Sequence, residues 1–235
     1  MSVFTIERAL QPQGGGIAQL FFIFTDQVDT QEMDGFCQTI AKTFPSAGIV
    51  VAIPSNALLH YTHIQQKINL SEEDLKAFVS THQQDIQGFI KSFQSHFQIE
   101  PNATALIGIG QMGSLVLELS KLEEPLAGRI LSFGARFAEL PEEALSLNQT
   151  IHFLHAKNDT LVDSQYAIDA HEKLAQLEGD ATIDIANNVS NSFNDVLVKQ
   201  MINRLLTCVP LRYWKEAQQA QVLDTQPATE KDLIH

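Results

Sequence analysis

A chain of 235 residues with 44% hydrophobic side chains can bury a substantial core as one large domain without disulfides or metals. Its formal net charge of −13 argues against a general nucleic-acid surface, because neutralising phosphates takes clustered Lys and Arg. No stretch approaches the roughly 18 apolar residues of a membrane helix, and two cysteines, Cys37 and Cys208, are too few for a disulfide framework and lack zinc-site spacing.

Both cysteines are therefore expected to be reduced. The opening residues MSVFTIERALQPQGGG contain no basic start followed by a long apolar run, and the expectation is a cytoplasmic protein with neither nucleic acid nor membrane as partner. Short apolar runs then alternate with amphipathic helical spacing, which argues for an α/β fold with a mostly parallel sheet covered on both faces.

Ala18 to Phe24 is an apolar run of strand length. After Thr30, an N-cap candidate, Met33, Phe36, Cys37, Ile40, Ala41 and Phe44 recur at helical spacing, and Pro45 ends the helix. Gly48 to Pro54 is the second strand. Ser71 opens the longest helix with Asp74 in its first turn, and Leu75, Phe78, Val79, Ile86, Phe89, Ile90, Phe93 and Phe97 form one apolar stripe. His82 and His96, on or beside that helix, have no ligand partner at i+4, so no metal is expected there.

The segment TALIGIGQMGSLVLEL, Thr104 to Leu119, reads as a buried strand turning into a helix through a glycine-rich corner. Strands follow at Arg129 to Ala135 and Ile151 to Ala156, a helix from Ser164 stopped by Gly179, a last strand at Thr182 to Asn187 and a last helix from Val196 to Leu206. One domain is expected over residues 1–213, with a polar tail over 214–235.

The corner has two readings. Gly108, Gly110 and Gly113 match the dinucleotide spacing G-x-G-x-x-G. That fingerprint wants an acidic residue about 20 positions later to bind ribose; here the distance falls at Ser132 to Arg136, with no carboxylate and only Arg136 to meet a 2′-phosphate. The other reading is a nucleophile elbow, G-x-S-x-G, whose serine has become Gly110.

Three segments, NATALIGIGQMG, GRILSFGARFAELPE and IHFLHAKNDTLVDSQYAIDAHEKLAQLEGDATIDIANNVSNSF, together resemble the carboxylesterase/phospholipase branch of the α/β-hydrolase superfamily. The resemblance runs from about Ala18 to Leu206 and implies an α/β-hydrolase fold. By that resemblance Gly110 stands at the nucleophile position, with Gln111 and Met112 following it. Asp159 in HAKND stands at the triad acid, and Asn191 in NNVSNSF at the base. Thr25 and Asp26 stand where an H-G turn helps form the oxyanion hole, and a carboxylate there would repel a developing oxyanion.

Acyl transfer needs an attacking oxygen, a base for its proton and donors for the oxyanion. Glycine has no such oxygen, and asparagine is no base near neutral pH. The resemblance therefore implies a hydrolase scaffold with a degenerate triad: a non-catalytic binding or regulatory protein. A small molecule could occupy the remnant pocket of Thr25, Asp26, Gly110, Gln111, Met112, Asp159 and Asn191, a homodimer could form, and no cofactor is expected. Two alternatives stay open. One is an ester hydrolase with a displaced nucleophile, for which Ser114 is the candidate, or with water-based chemistry, with Asp159, Asp26 and a loop histidine, His60 or His63, as the acid/base set; the other is dinucleotide binding at Gly108 to Gly113.

Overall fold

The computed structural model describes residues 4–12, 15–26, 30–55 and 71–216. A seven-stranded sheet is built from β1 (Phe4–Leu10), β2 (Gln19–Phe24), β3 (Ala47–Pro54), β4 (Thr104–Ile109), β5 (Arg129–Phe133), β6 (Thr150–Ala156) and β7 (Ala181–Ala186). Their spatial order is β1-β3-β2-β4-β5-β6-β7. Every neighbouring pair is parallel except β1 with β3. The connecting helices are α1 (Thr30–Thr43), α2 (Glu72–Phe97), α3 (Gln111–Leu119), α4 (Ser164–Gln176) and α5 (Asp195–Thr207).

The expected α/β architecture is present because the strands are apolar on both sides and need two covers. Alternate residues of β2 separate into two cores: Leu20, Phe22 and Phe24 join Phe78, Ile86 and Ile90 of α2, while Phe21 and Ile23 join Phe36 and Ile40 of α1. Helices α2, α3 and α4 cover the first face, and α1 and α5 the second. No helix among the described residues is long and apolar enough to cross a membrane.

Local signals place most boundaries. The Ser71 side chain accepts the Asp74 N–H at 3.1 Å, and its hydroxyl donates to the Asp74 carboxylate at 2.7 Å, which secures the start of α2. Asp163 and Asn194 cap α4 and α5 in the same way. Thr30 is the first residue of α1.

Four expectations are corrected. The strand β1 lies in an opening segment that was given no element: it is an exposed edge whose charges and register shift between Ile6 and Arg8 obscure any alternation. The strand expected to reach Ala135 stops at Phe133, because Gly134 turns to φ 60°. Helix α4 ends through Glu178 in the left-handed region at φ 55°, with the Gly179 N–H closing onto the Leu174 carbonyl at 2.8 Å, so the glycine lies one place beyond the turning residue. A further helical stretch covers 211–216, past α5 and past the expected tail boundary at 214; Lys215 there pairs with Glu178 at 3.0 Å. Residues 217–235 of that tail, and His60 and His63, lie outside the described residues.

The chain order also fixes where a site belongs. From β2 the chain moves outward to β3 and then crosses to β4 on the other side of β2. Connections leaving adjacent parallel strands in opposite directions open a crevice at their carboxyl ends. Phe24 and Gly108 are register partners at those ends, so Thr25, Asp26 and Gly110 come to one edge although more than eighty positions separate them in sequence.

Candidate functional site

At the end of β4 the backbone reverses into α3 within a single residue. Gly110 takes φ 61°, ψ −129°, a region that side chains rarely adopt, and its N–H donates to the Phe133 carbonyl at 2.9 Å. The flanking glycines are required by packing. A Cβ on Gly108 would lie 2.3 Å from the Met112 carbonyl oxygen, and one on Gly113 would lie 2.6 Å from the Ala135 Cβ. The G-x-G-x-x-G spacing is thus what this strand-to-helix corner needs sterically, whether or not anything binds at it.

The residue that lets strand and helix approach closely is Gly113. Met112 is instead buried in the core beneath α2, α3 and α4. Gln111 opens α3 and is half-buried, as is Gly110 itself.

Asp159 lies in the loop after β6. One carboxylate oxygen accepts the backbone N–H groups of Leu161 at 2.9 Å and Val162 at 3.2 Å. The other accepts from Ser192 twice, from its N–H at 3.1 Å and its hydroxyl at 2.5 Å. The Ser192 oxygen in turn accepts the Ala156 N–H at 2.8 Å. The loops after β6 and β7 are therefore tied together through one carboxylate and one buried hydroxyl. Gly134, at positive φ, seals the junction: a Cβ there would meet the Ser192 hydroxyl at 2.9 Å and Asp159 Oδ2 at 3.1 Å.

The residue facing Asp159 is Ser192, where Asn191 was expected. Asn191 is exposed, and its Oδ1 accepts the Phe193 N–H at 3.0 Å in a local turn. Ser192 and Gly134 were not singled out from the sequence. Both lie in irregular segments where no periodicity marks side-chain direction.

The structure brings Gly110, Gly134, Ser192 and Asp159 together at the carboxyl edge of the sheet. Thr25 is buried at the same edge, its N–H bonded to the Ala52 carbonyl at 3.2 Å, and Asp26 follows it, half-buried. Of the substitute candidates, Ser114 lies among the described residues. The Ser114 hydroxyl accepts the Arg136 N–H at 3.3 Å. Arg136 itself pairs with Glu72 at 3.2 Å and stacks on Tyr166 with its guanidinium carbon 5.0 Å from the ring centre.

Two histidines of β6 are enclosed. His155 Nε2 lies 2.8 Å from the Val162 carbonyl, so this nitrogen carries the proton and donates; burial lowers its pKa. His152 Nδ1 lies 2.7 Å from Thr182 Oγ1, and burial, aided by Arg129 and Arg204, pushes its pKa down to about 3. Neither nitrogen contact involves Asp159 or Gly110. Among the described residues no group of three His, Cys, Asp or Glu could hold a metal. Cys37 and Cys208 are both free thiols; burial raises Cys37 to about 11 and Cys208 in the same direction, which keeps them protonated and unreactive.

Known proteins share this architecture. Esterase PE8 is similar at 16% identity with a TM-score of 0.68, covering 86% of this chain and 98% of that one. A phospholipase/carboxylesterase from Dyadobacter fermentans is similar at 11% identity and a TM-score of 0.63, covering 88% and 99%. These likenesses establish an α/β-hydrolase fold. A segment of 128 residues is 35% identical to Esterase YpfH of Escherichia coli; it covers 54% of this chain and 55% of that protein, so the chain spans little more than half the length of this curated relative. The phospholipase/carboxylesterase family model matches residues 59–209, more than half of the chain. On that match, around a corner and an aspartate at the expected edge of the sheet, the chain belongs to the phospholipase/carboxylesterase family.

Proposed function

We propose that this chain is a family member without serine-esterase catalysis, acting in the cytoplasm as a binding or regulatory protein. The observation that carries the reading is the pairing at the site: a glycine with elbow geometry at position 110, and a serine hydroxyl against Asp159 where an activating imidazole is needed. A nucleophile and its base act as a unit, so losing either costs many orders of magnitude in rate. Ser192 cannot replace the base, since its O–H already donates to Asp159 and its oxygen accepts the Ala156 N–H. Asp159, with four acceptor bonds filled, works here as a loop clamp. A small molecule would be held at the half-buried edge of Asp26, Gly110 and Gln111, and a second copy of the chain is the protein partner this reading admits.

The similarity to Esterase YpfH favours a second reading, ester hydrolysis by a displaced nucleophile. A fluorophosphonate probe and a panel of short- and long-chain esters separate the two. The first reading expects no labelling and no turnover above a heat-denatured control. Stoichiometric labelling, with loss of activity on labelling, would establish the second. As a positive control, the double variant Gly110→Ser with Ser192→His should acquire probe labelling that neither single variant shows.

A further inference from the structure

All five arginines of the chain are described, and they divide unequally. Arg8 pairs with Asp34, Arg136 with Glu72 and Arg204 with Asp184. Arg129 and Arg212 form no ion pair with any described carboxylate, and both line one cavity of about 240 Å³ at the amino ends of β2, β4 and β5, the opposite edge of the sheet from Gly110. Among the described residues no acidic side chain lines it. Two guanidiniums without a carboxylate partner among the described residues, sharing a hollow, is an unfavourable arrangement by itself, and in a chain of net charge −13 it is also the reverse of what chance would place there.

Each guanidinium is held in position by neutral oxygens that leave its charge unspent. Arg129 donates to Thr150 Oγ1 at 2.6 Å and to the Cys208 carbonyl at 3.0 Å. Arg212 donates to the Asn148 carbonyl at 3.0 Å and to the Tyr213 hydroxyl at 3.2 Å, and stacks 4.7 Å from the Tyr213 ring centre. Of the five N–H donors on each guanidinium, these bonds use two. Asp180, which acts on Arg129 through its charge, accepts the Thr150 hydroxyl and the Leu211 N–H and is not among the residues lining the cavity. Burial lowers the pKa of Arg129; Cys208 and Asp180 act to raise it, and Arg212 lowers it by a smaller amount.

The remaining wall is apolar. Phe21 and Phe44 pack with ring centres 5.2 Å apart and line the cavity together with the Tyr213 ring. Asn102 adds an amide. We infer that this cavity binds a small carboxylate with an apolar body, its anionic end between Arg129 and Arg212 and its apolar end against Phe21 and Phe44. The size suits such a ligand, since a cavity of roughly 150 Å³ already accommodates benzene, and fixed guanidinium forks favour planar carboxylates. This inference is independent of whether the Gly110 edge is active.

Titration calorimetry of the full chain with benzoate and with hexanoate tests it, using benzamide and hexanamide as uncharged controls. At least one carboxylate should bind saturably and raise Tm, with its amide weaker by about tenfold or more, as loss of a charge-assisted bond implies. Arg212→Gln, a half-buried surface position, should weaken that carboxylate by about tenfold while leaving the weak amide unchanged. The inference is overturned if neither carboxylate saturates below about 10 mM, if the amides bind equally well, or if sulfate competes as strongly as benzoate. The amide controls need no variant, so a poorly folding Arg212→Gln would leave the test intact.

Discussion

The enclosed imidazole of His152 makes stability depend on pH in a way that one substitution isolates. Its Nδ1 contacts Thr182, its Nε2 has no hydrogen-bond partner among the described residues, and the ring is fully buried between β6 and α5. The tautomer with the proton on Nδ1, donating to Thr182, avoids a stranded N–H and leaves only a lone pair unmet. A second proton would put a charge out of reach of water and, to a lesser degree, beside Arg129 and Arg204, hence a folded-state pKa of about 3 against 6.5 for the free side chain.

The unfolded chain therefore takes up a proton as pH falls through 6.5, and the folded chain does not until about 3. Stability is fully present above the unfolded value and is lost as pH drops below it, at up to about 1.4 kcal/mol per pH unit. Between about pH 7 and pH 5 the loss from this group alone is roughly 2 kcal/mol. His152→Asn keeps a polar atom near Thr182 but cannot titrate. Urea unfolding of both proteins should show the variant less stable at pH 7, yet with a shallower fall towards pH 5 by that same amount. Parallel pH profiles would refute the reasoning, because they would mean that the imidazole takes up its proton in the folded chain as readily as in the unfolded one.

Two further perturbations test the corner and the clamp. Gly108→Ala should cost about 3 kcal/mol or more, since its Cβ meets backbone 2.3 Å away, whereas Gly88→Ala, in open space on α2, should gain about 0.5–1 kcal/mol; thermal unfolding compares them. Asp159→Ala should cost about 1–3 kcal/mol in denaturant unfolding, because it strands the Ser192 and Val162 donors; an unchanged midpoint would mean the carboxylate holds nothing together.

Much of the fold was legible in the residues because helices and strands have fixed periods. Leu75, Phe78, Val79, Ile86 and Ile90 recur as a helix stripe and all five are buried in the structure. Ser71 and Asp74 marked the start of α2, and the glycine spacing at 108, 110 and 113 marked the corner. Strand β1 escaped because an edge strand with Glu7, Arg8 and a register shift carries neither an apolar run nor strict alternation.

What the sequence by itself determined is the order of elements and the glycine corner at 108 to 113, since both follow from residue type and local repeat. Only the tertiary structure decided that Ser192 rather than Asn191 meets Asp159, 33 positions away, and that Arg129 and Arg212, 83 positions apart, share a cavity. The physical reason is that a loop side chain has no period to orient it. Its direction is set by partners brought close only when strands distant in sequence align in the sheet.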